Sequence, residues 1–130
     1  MSYKNLEIYR LSMEMVLAIH TMTIQELPQL EMFEIGSQIR RSSKSVKSNI
    51  VEGYGRRKSS KEYIHFLTIA HGSLDETQDH LETLYLTKSL KNEKIYTEIK
   101  EICDKLGRKL YSYIEAVKRN YKPKSYPQEN

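Results

Sequence analysis

Apolar residues recur at three- and four-residue steps along four stretches of the chain. Nowhere does an apolar–polar alternation last long enough for a strand. The first stretch runs from about Asn5, placed to cap it, to about Glu26, with Leu6, Tyr9, Met13, Val16, Leu17, His20 and Ile24 on one stripe. Leu27-Pro28 ends it, because proline pushes the residue before it out of helical conformation. The second runs from about Glu31 to Gly53, with Met32, Ile35, Ile39, Val46 and Ile50 inward beside Ser42 and Ser43, and Gly53-Tyr54-Gly55 breaks it. Ser59 and Glu62 then read as a capping box opening a third helix to about Thr87. Its stripe is Tyr63, Leu67, Ala70, Leu74, Thr77, Leu81 and Leu84. Asn92 is placed to cap the fourth, whose face is Ile95, Ile99, Ile102, Leu106, Leu110, Tyr113 and Val117.

Each stretch suits a helix of roughly 30–45 Å, and the connections are short, so consecutive helices are expected to be antiparallel. The pattern predicts an all-α fold, an antiparallel up-down four-helix bundle over residues 1–121, with residues 122–130 as a disordered tail. The first helix does not suit a lone bundle. Ile8, Leu11, Met15, Ile19 and Met22 form a second apolar stripe opposite Leu6–Met13–Leu17–Ile24. Either the core face is broad and leaves a few apolar residues exposed, or one stripe is a subunit contact. The second reading is favoured, with Ile8, Leu11, Met15, Ile19 and Met22 as the expected oligomer interface.

Composition narrows the class. Hydrophobic residues make up 38% with no long apolar run, which argues against a membrane-spanning chain. Five Gly and three Pro are too few for an all-β fold with frequent turns. The single cysteine, Cys103, excludes an intrachain disulfide and a Cys-based zinc site. With no signal pattern at the first residues, the expected location is cytoplasmic.

Charge is concentrated. Between Arg40 and Lys61 stand eight basic residues, Arg40, Arg41, Lys44, Lys47, Arg56, Arg57, Lys58 and Lys61, against the single acid Glu52, a net of +7. The whole chain carries +4, so the rest carries −3. Arg40, Lys44 and Lys47 form one stripe of the second helix, expected to face water. Arg56-Arg57-Lys58 follow in a loop before a helix N-terminus, whose free N–H groups suit an anion. The eight are candidate nucleic-acid-binding residues acting on the phosphate backbone. The rival use of the stripe is pairing with Asp75, Glu76, Asp79 and Glu82 of a neighbouring subunit. Only Tyr54 and Tyr63 interleave the basic residues, so backbone contact rather than base stacking is expected there. A smaller cluster, Lys118, Arg119, Lys122 and Lys124, suits a helix C-terminus.

No catalytic constellation emerges. A di-iron bundle needs Glu-x-x-His on two helices, and that spacing does not occur. His71/Asp75 and Glu76/His80 stand four apart and read as surface ion pairs. His20 reads as a satisfied buried imidazole and Cys103 as a small buried hydrophobe. Ser42, Ser43 and Ser45 lack a nucleophile elbow and read as small residues for close packing. Gly53-x-Gly55 lacks the remainder of a nucleotide-binding loop. No catalytic residue, metal or cofactor is expected, and the chain reads as a non-enzyme.

The segment Glu31-x-Phe33-x-Ile35-x-x-Gln38-Ile39-Arg40-Arg41-Ser42-Ser43-x-Ser45-Val46-x-x-Asn49-Ile50-Val51-Glu52-Gly53-x-Gly55-Arg56 resembles the signature of the 23S ribosomal RNA intervening-sequence proteins. The likeness continues through Glu62, Phe66-Leu67-x-Ile69-Ala70-x-Gly72-Ser73-Leu74 and, upstream, Leu27-Pro28. It implies an antiparallel four-helix bundle assembled as a pentameric ring, in some bacteria encoded within inserts of the large-subunit rRNA gene. Nucleic-acid binding is the usual supposition for such proteins. Similar accessory proteins of diversity-generating retroelements are basic pentameric bundles that engage nucleic acid and a reverse transcriptase. The family commonly has Ala where this chain has Ser42, Ser43 and Val51. Gln38, Asn49 and Glu52 read as structural polar residues, with ligand binding the open alternative. The expectation is a cytoplasmic homo-oligomer, with no membrane association, that binds structured RNA or DNA through phosphate contacts. The alternative is a protein-interaction scaffold whose basic surface docks an acidic partner or a neighbouring subunit.

Overall fold

A computed structural model describes residues 2–120, in which a 3-10 turn at Tyr3–Asn5 precedes five helices. These are α1 (Glu7–Gln25), a short α2 (Gln29–Phe33), α3 (Ile35–Gly55), α4 (Ser60–Leu86) and α5 (Glu93–Arg119). The four long ones make a helical bundle in which α1 and α4 each pack on both α3 and α5. The expected tail, residues 122–130, lies outside the described residues.

Contacts climb one helix as they descend the next. Between α3 and α4, Ser42 meets Thr77, Ser45 meets Ser73 and Gly53 lies against Phe66. Between α4 and α5, Tyr63 meets Tyr113 and Gln78 meets Asp104. Glu7 at the start of α1 pairs with Lys109 near the end of α5, while Glu26 after α1 meets Asn92 before α5.

The α4 stripe is buried residue for residue: Tyr63, Leu67, Ala70, Leu74, Thr77, Leu81 and Leu84. On α5 the buried line is Ile99, Cys103, Leu106, Leu110 and Ile114, with Ile95, Ile102, Tyr113 and Val117 half-buried at its margins. The hydroxyl of Ser59 accepts from Glu62 N–H and the Asn92 side chain from Ile95 N–H, so both expected caps form. At Ser59 only half of the box is present, because the Glu62 carboxylate bonds Arg56 instead.

Five expectations need correction. The most consequential concerns α1, where Val16 is buried as expected and Leu6 and Tyr9 pack at the core's margin, but the two stripes otherwise exchange roles. Ile8, Leu11, Met15, Ile19 and Met22, expected at a subunit interface, lie in the chain's own core at 0–7% exposure. Leu17 and Ile24, expected in the core, are 60% and 52% exposed. The reason lies in what flanks each stripe. Ser12 and Thr23 border the buried one and return their hydroxyl protons to the carbonyls of Tyr9 and His20, so both can be buried satisfied. The outer stripe carries Tyr9 and His20, whose polar ends need water, and His20 is accordingly exposed, not a buried imidazole.

Asn5 does not cap α1. It ends the 3-10 turn, and Leu6 takes the cap position without a side-chain bond. The expected second helix is interrupted at Glu34 (φ −93°, ψ −103°), which separates α2 from α3. Gly53 does not break α3, which continues to Gly55. Gly53 is instead buried, and a Cβ there would come within 3.0 Å of Phe66 Cβ and 3.1 Å of Tyr63 Cδ1. The absent side chain lets α3 and α4 approach closely.

Candidate functional site

On α3 the flank facing α4 is marked by Ser42, Ser45 and Gly53. At about 100° per residue, Arg40, Lys44 and Lys47 lie on the opposite flank, and Arg41 points between the two, outward. Lys61, on the first turn of α4, is turned away from the side bearing Phe66, Ser73 and Thr77. Arg41, Lys44 and Lys47 thus lie on α3 away from its contact with α4, and Arg56, Arg57, Lys58 and Lys61 gather at the α3–α4 turn.

Their surroundings divide them. Arg40 is folded back: its Nη2 donates to the Met32 carbonyl at 3.1 Å, and its Nη1 is buried without a hydrogen-bond partner. That carbonyl belongs to the end of α2, where no further helical N–H arrives, so Arg40 serves the α2–α3 corner. Gly36 makes room for it, since a Cβ there would lie 3.3 Å from Arg40 Nη1. Arg40 therefore does not belong to the expected water-facing stripe.

Arg56 is bracketed by carboxylates, with Nε 2.9 Å from Glu52 and Nη1 3.4 Å from Glu62, and its guanidinium lies over the Phe66 ring. The Glu52 hydrogen bond, above all, raises its already high pKa. Arg57 Nη1 donates to the Tyr54 carbonyl at 2.9 Å, and its guanidinium lies 4.0 Å from the centroid of the Tyr54 ring. Arg41, Lys44, Lys58 and Lys61 are exposed and Lys47 is half-buried. None of these five forms an ion pair among the described residues.

Tyr54 and Tyr63, the two aromatics interleaved with the basic residues, are buried at 8% and 5% exposure. Tyr63 and Tyr113 share a hydrogen bond of 2.6 Å between their hydroxyls, and burial raises the Tyr63 pKa. Neither Tyr54 nor Tyr63 offers a face to a base.

Asn49 donates to the Ser45 carbonyl at 2.9 Å and to Ser45 Oγ at 3.2 Å, and Ser45 meets Ser73 of α4, so Asn49 braces the helix pair. Glu52 holds Arg56. Gln38 corrects the third expectation of this set: it is exposed, and its side chain makes no hydrogen bond among the described residues. His71 lies 3.7 Å from Asp75 and His80 3.4 Å from Glu76. Among the described residues no group of three or more His, Cys, Asp or Glu could hold a metal. No helix among them is long and apolar enough to cross a membrane.

Two surfaces escaped sequence reasoning. One is the α1–α5 groove, where two adjoining clefts of about 380 and 390 Å³ share Glu98 and Ile102 below the exposed Leu17. The other is the α4–α5 turn, where the rings of Tyr85 and Tyr96 stack at 4.0 Å between centroids and 11° between planes. These residues belong to different helices and share no periodic stripe, so only the fold reveals the pair.

The family described as 23S rRNA-intervening sequence protein matches residues 4–112. A crystal structure of a protein of unknown function from the S23 ribosomal protein family of Bacteroides thetaiotaomicron VPI-5482 is similar, with a TM-score of 0.72 at 26% identity. The likeness covers 83% of this chain and 95% of that one. No curated protein matches the chain.

Proposed function

Because the chain belongs to the 23S rRNA-intervening sequence protein family, we propose that it is a non-enzymatic, cytoplasmic helical bundle that binds structured RNA or DNA through phosphate contacts. The observation that carries this reading is the group Arg41, Lys44, Lys47, Lys58 and Lys61, five cations without a carboxylate among the described residues. Arg56, by contrast, already has two carboxylates and adds little to the field. An anion lying along α3 toward the loop meets positive charge, and the two acids there, Glu52 and Glu62, are engaged by Arg56, which suits a regular polyanion better than a compact ligand. Tyr54 and Tyr63 are buried beneath this edge, which supports contact with the backbone and not with bases there.

The helices of the bundle are proposed to run up and down alternately, and copies of it to assemble in a ring, with the outer stripe of α1 as the subunit contact. Leu17 at 60% and Ile24 at 52% exposure support that assignment, with Met13 half-buried one turn before Leu17.

Titrating duplex DNA and duplex RNA at a series of salt concentrations tests the binding. Each phosphate neutralised contributes about −0.9 to the log–log salt slope on a B-form duplex, so five contacts give a slope between roughly −4 and −5. A flat salt dependence would remove phosphate contact as the mechanism.

A further inference from the structure

We propose that the turn between α4 and α5 takes an unpaired nucleotide, with its base against the Tyr85 ring and its phosphates on Lys88 and Lys91. This rests on the nucleic-acid reading above and gives that reading a place where bases are felt as well as phosphates.

The argument begins with the stack. The other tyrosine pairs, Tyr3–Tyr9, Tyr54–Tyr63 and Tyr63–Tyr113, meet edge to face at 71–77°. Tyr85 and Tyr96 lie nearly parallel at 11°, and both are half-buried. A parallel pair fixes both rings and leaves the outer faces flat, the surface on which a further ring can stack. Tyr85, and not Tyr96, lines a cleft of about 420 Å³ together with Leu86, Lys88, Leu90 and Lys91. That volume falls within the roughly 300–1,000 Å³ of small-ligand sites. Leu86 is 69% exposed and supplies an apolar wall, while Leu90 is buried beneath.

The mouth is cationic. Lys88 and Lys91 are exposed, as is Lys94 at the start of α5, and none of the three has an ion pair among the described residues. Of the acids around the turn, Glu31 accepts from the Ser89 hydroxyl at 3.2 Å and Glu26 from Asn92, while Glu93 opens α5 beside Lys94, so three lysines face one unengaged carboxylate. Lys88 holds φ 66°, a left-handed conformation that favours glycine at helix ends, so a lysine stands there at a backbone cost glycine avoids. A flat aromatic face, an apolar wall and unpaired lysines together fit a nucleotide. An acidic peptide would leave the ring unused, and an apolar ligand would leave the lysines unused. The turn lies roughly 40 Å from the basic loop along α4, at about 1.5 Å for each residue, so the two sites touch different parts of one nucleic acid.

Fluorescence anisotropy with a labelled short oligouridylate, an abasic phosphodiester strand of equal length and a duplex tests the proposal. The wild-type protein is expected to bind the base-bearing strand about 5- to 100-fold more tightly than the abasic one. Tyr85→Leu abolishes that preference and leaves duplex binding unchanged, whereas Tyr85→Phe keeps it. Lys88→Gly, which relaxes the backbone, combined with Lys91→Ala lowers the salt slope on the single strand by about 1.4. Circular dichroism checks that each variant remains helical. Equal affinity for the two strands, or a preference that survives Tyr85→Leu, overturns the proposal while a salt-dependent duplex interaction stands. Displacement of the strand by an equal concentration of uridine monophosphate also overturns it, in favour of a free-nucleotide pocket. Failure of every probe, the duplex included, removes the basic edge and this site together.

Discussion

Thr77 of α4 donates its hydroxyl proton to Ser42 Oγ of α3 at 2.8 Å, and Ser42 passes its own to the Ile39 carbonyl at 3.2 Å. Both residues are buried, so a relay of short side chains joins the two helices where larger ones would hold them apart. Ser42 keeps its acceptor when Thr77 is lost. Thr77→Val is therefore expected to cost only about 1 kcal/mol in chemical denaturation, the ordinary worth of one hydrogen bond.

Two glycines should respond in opposite directions to the same change. Gly72 is exposed within α4 and nothing lies within 4 Å of a Cβ there, so Gly72→Ala is expected to stabilise the fold by up to about 1 kcal/mol. Gly53→Ala gains the same helical propensity but drives a methyl against Phe66 and Tyr63. Overpacking of this kind costs about 1–3 kcal/mol, and a net loss is expected in urea midpoints.

Arg40 and Lys44 sit one turn apart on α3 yet should behave as different kinds of residue. Arg40→Ala strips the Met32 carbonyl of its donor and is expected to lower stability by about 1–3 kcal/mol with little change in salt slope. Lys44→Ala is expected to leave the melting temperature within error and to reduce the slope of duplex binding by about 1. Reversed results would show that Arg40 swings out to meet the ligand.

Charge placed on either stripe of α1 separates core from contact. Met15 is fully buried, so Met15→Glu is expected to unfold the bundle, seen as lost helicity. Leu17→Glu is expected to keep the helices and shift the mass in analytical ultracentrifugation to that of a single chain. An unchanged mass for Leu17→Glu would move the subunit contact elsewhere.

Alkaline pH should weaken the fold through Cys103. Burial pushes its thiol from an ordinary 9.0 up to about 12, so the folded state holds a proton that the unfolded state releases. Stability is then full below about pH 9 and falls as pH rises toward 12, by at most roughly 1.4 kcal/mol for each pH unit. The raised Tyr63 acts in the same sense above pH 10. Urea midpoints at pH 8 and 10.5 are expected to differ less in Cys103→Ala than in the wild type.

How much of this could be read beforehand varied with the helix. α4 was legible because its seven buried residues make a single stripe, leaving one way to face the core. α1 was not, because two stripes of similar hydrophobicity compete and hydrogen-bonded Ser12 and Thr23 tip the choice. The basic cluster was evident as a count, but the fates of its members were hidden. Nothing in Phe33-Glu34-Ile35 signals the break that claims Arg40, since neither Gly nor Pro stands there. The pairing of Arg56 with Glu52 needed only four-residue spacing, whereas its second carboxylate, Glu62, arrives through the turn.

The near approach of α3 and α4 restricts how this lineage can drift. Positions 42, 45, 53, 73 and 77 hold Ser, Ser, Gly, Ser and Thr, and a larger side chain at any of them would press the two helices apart. Elsewhere on α3 the exposed Arg41 and Lys44 can be exchanged, moved or lost without disturbing the scaffold, whereas Arg40 is tied to the α2–α3 corner. Distant kin should therefore be traced by their diminutive residues at these five sites, even after the cations have been rewritten for another target.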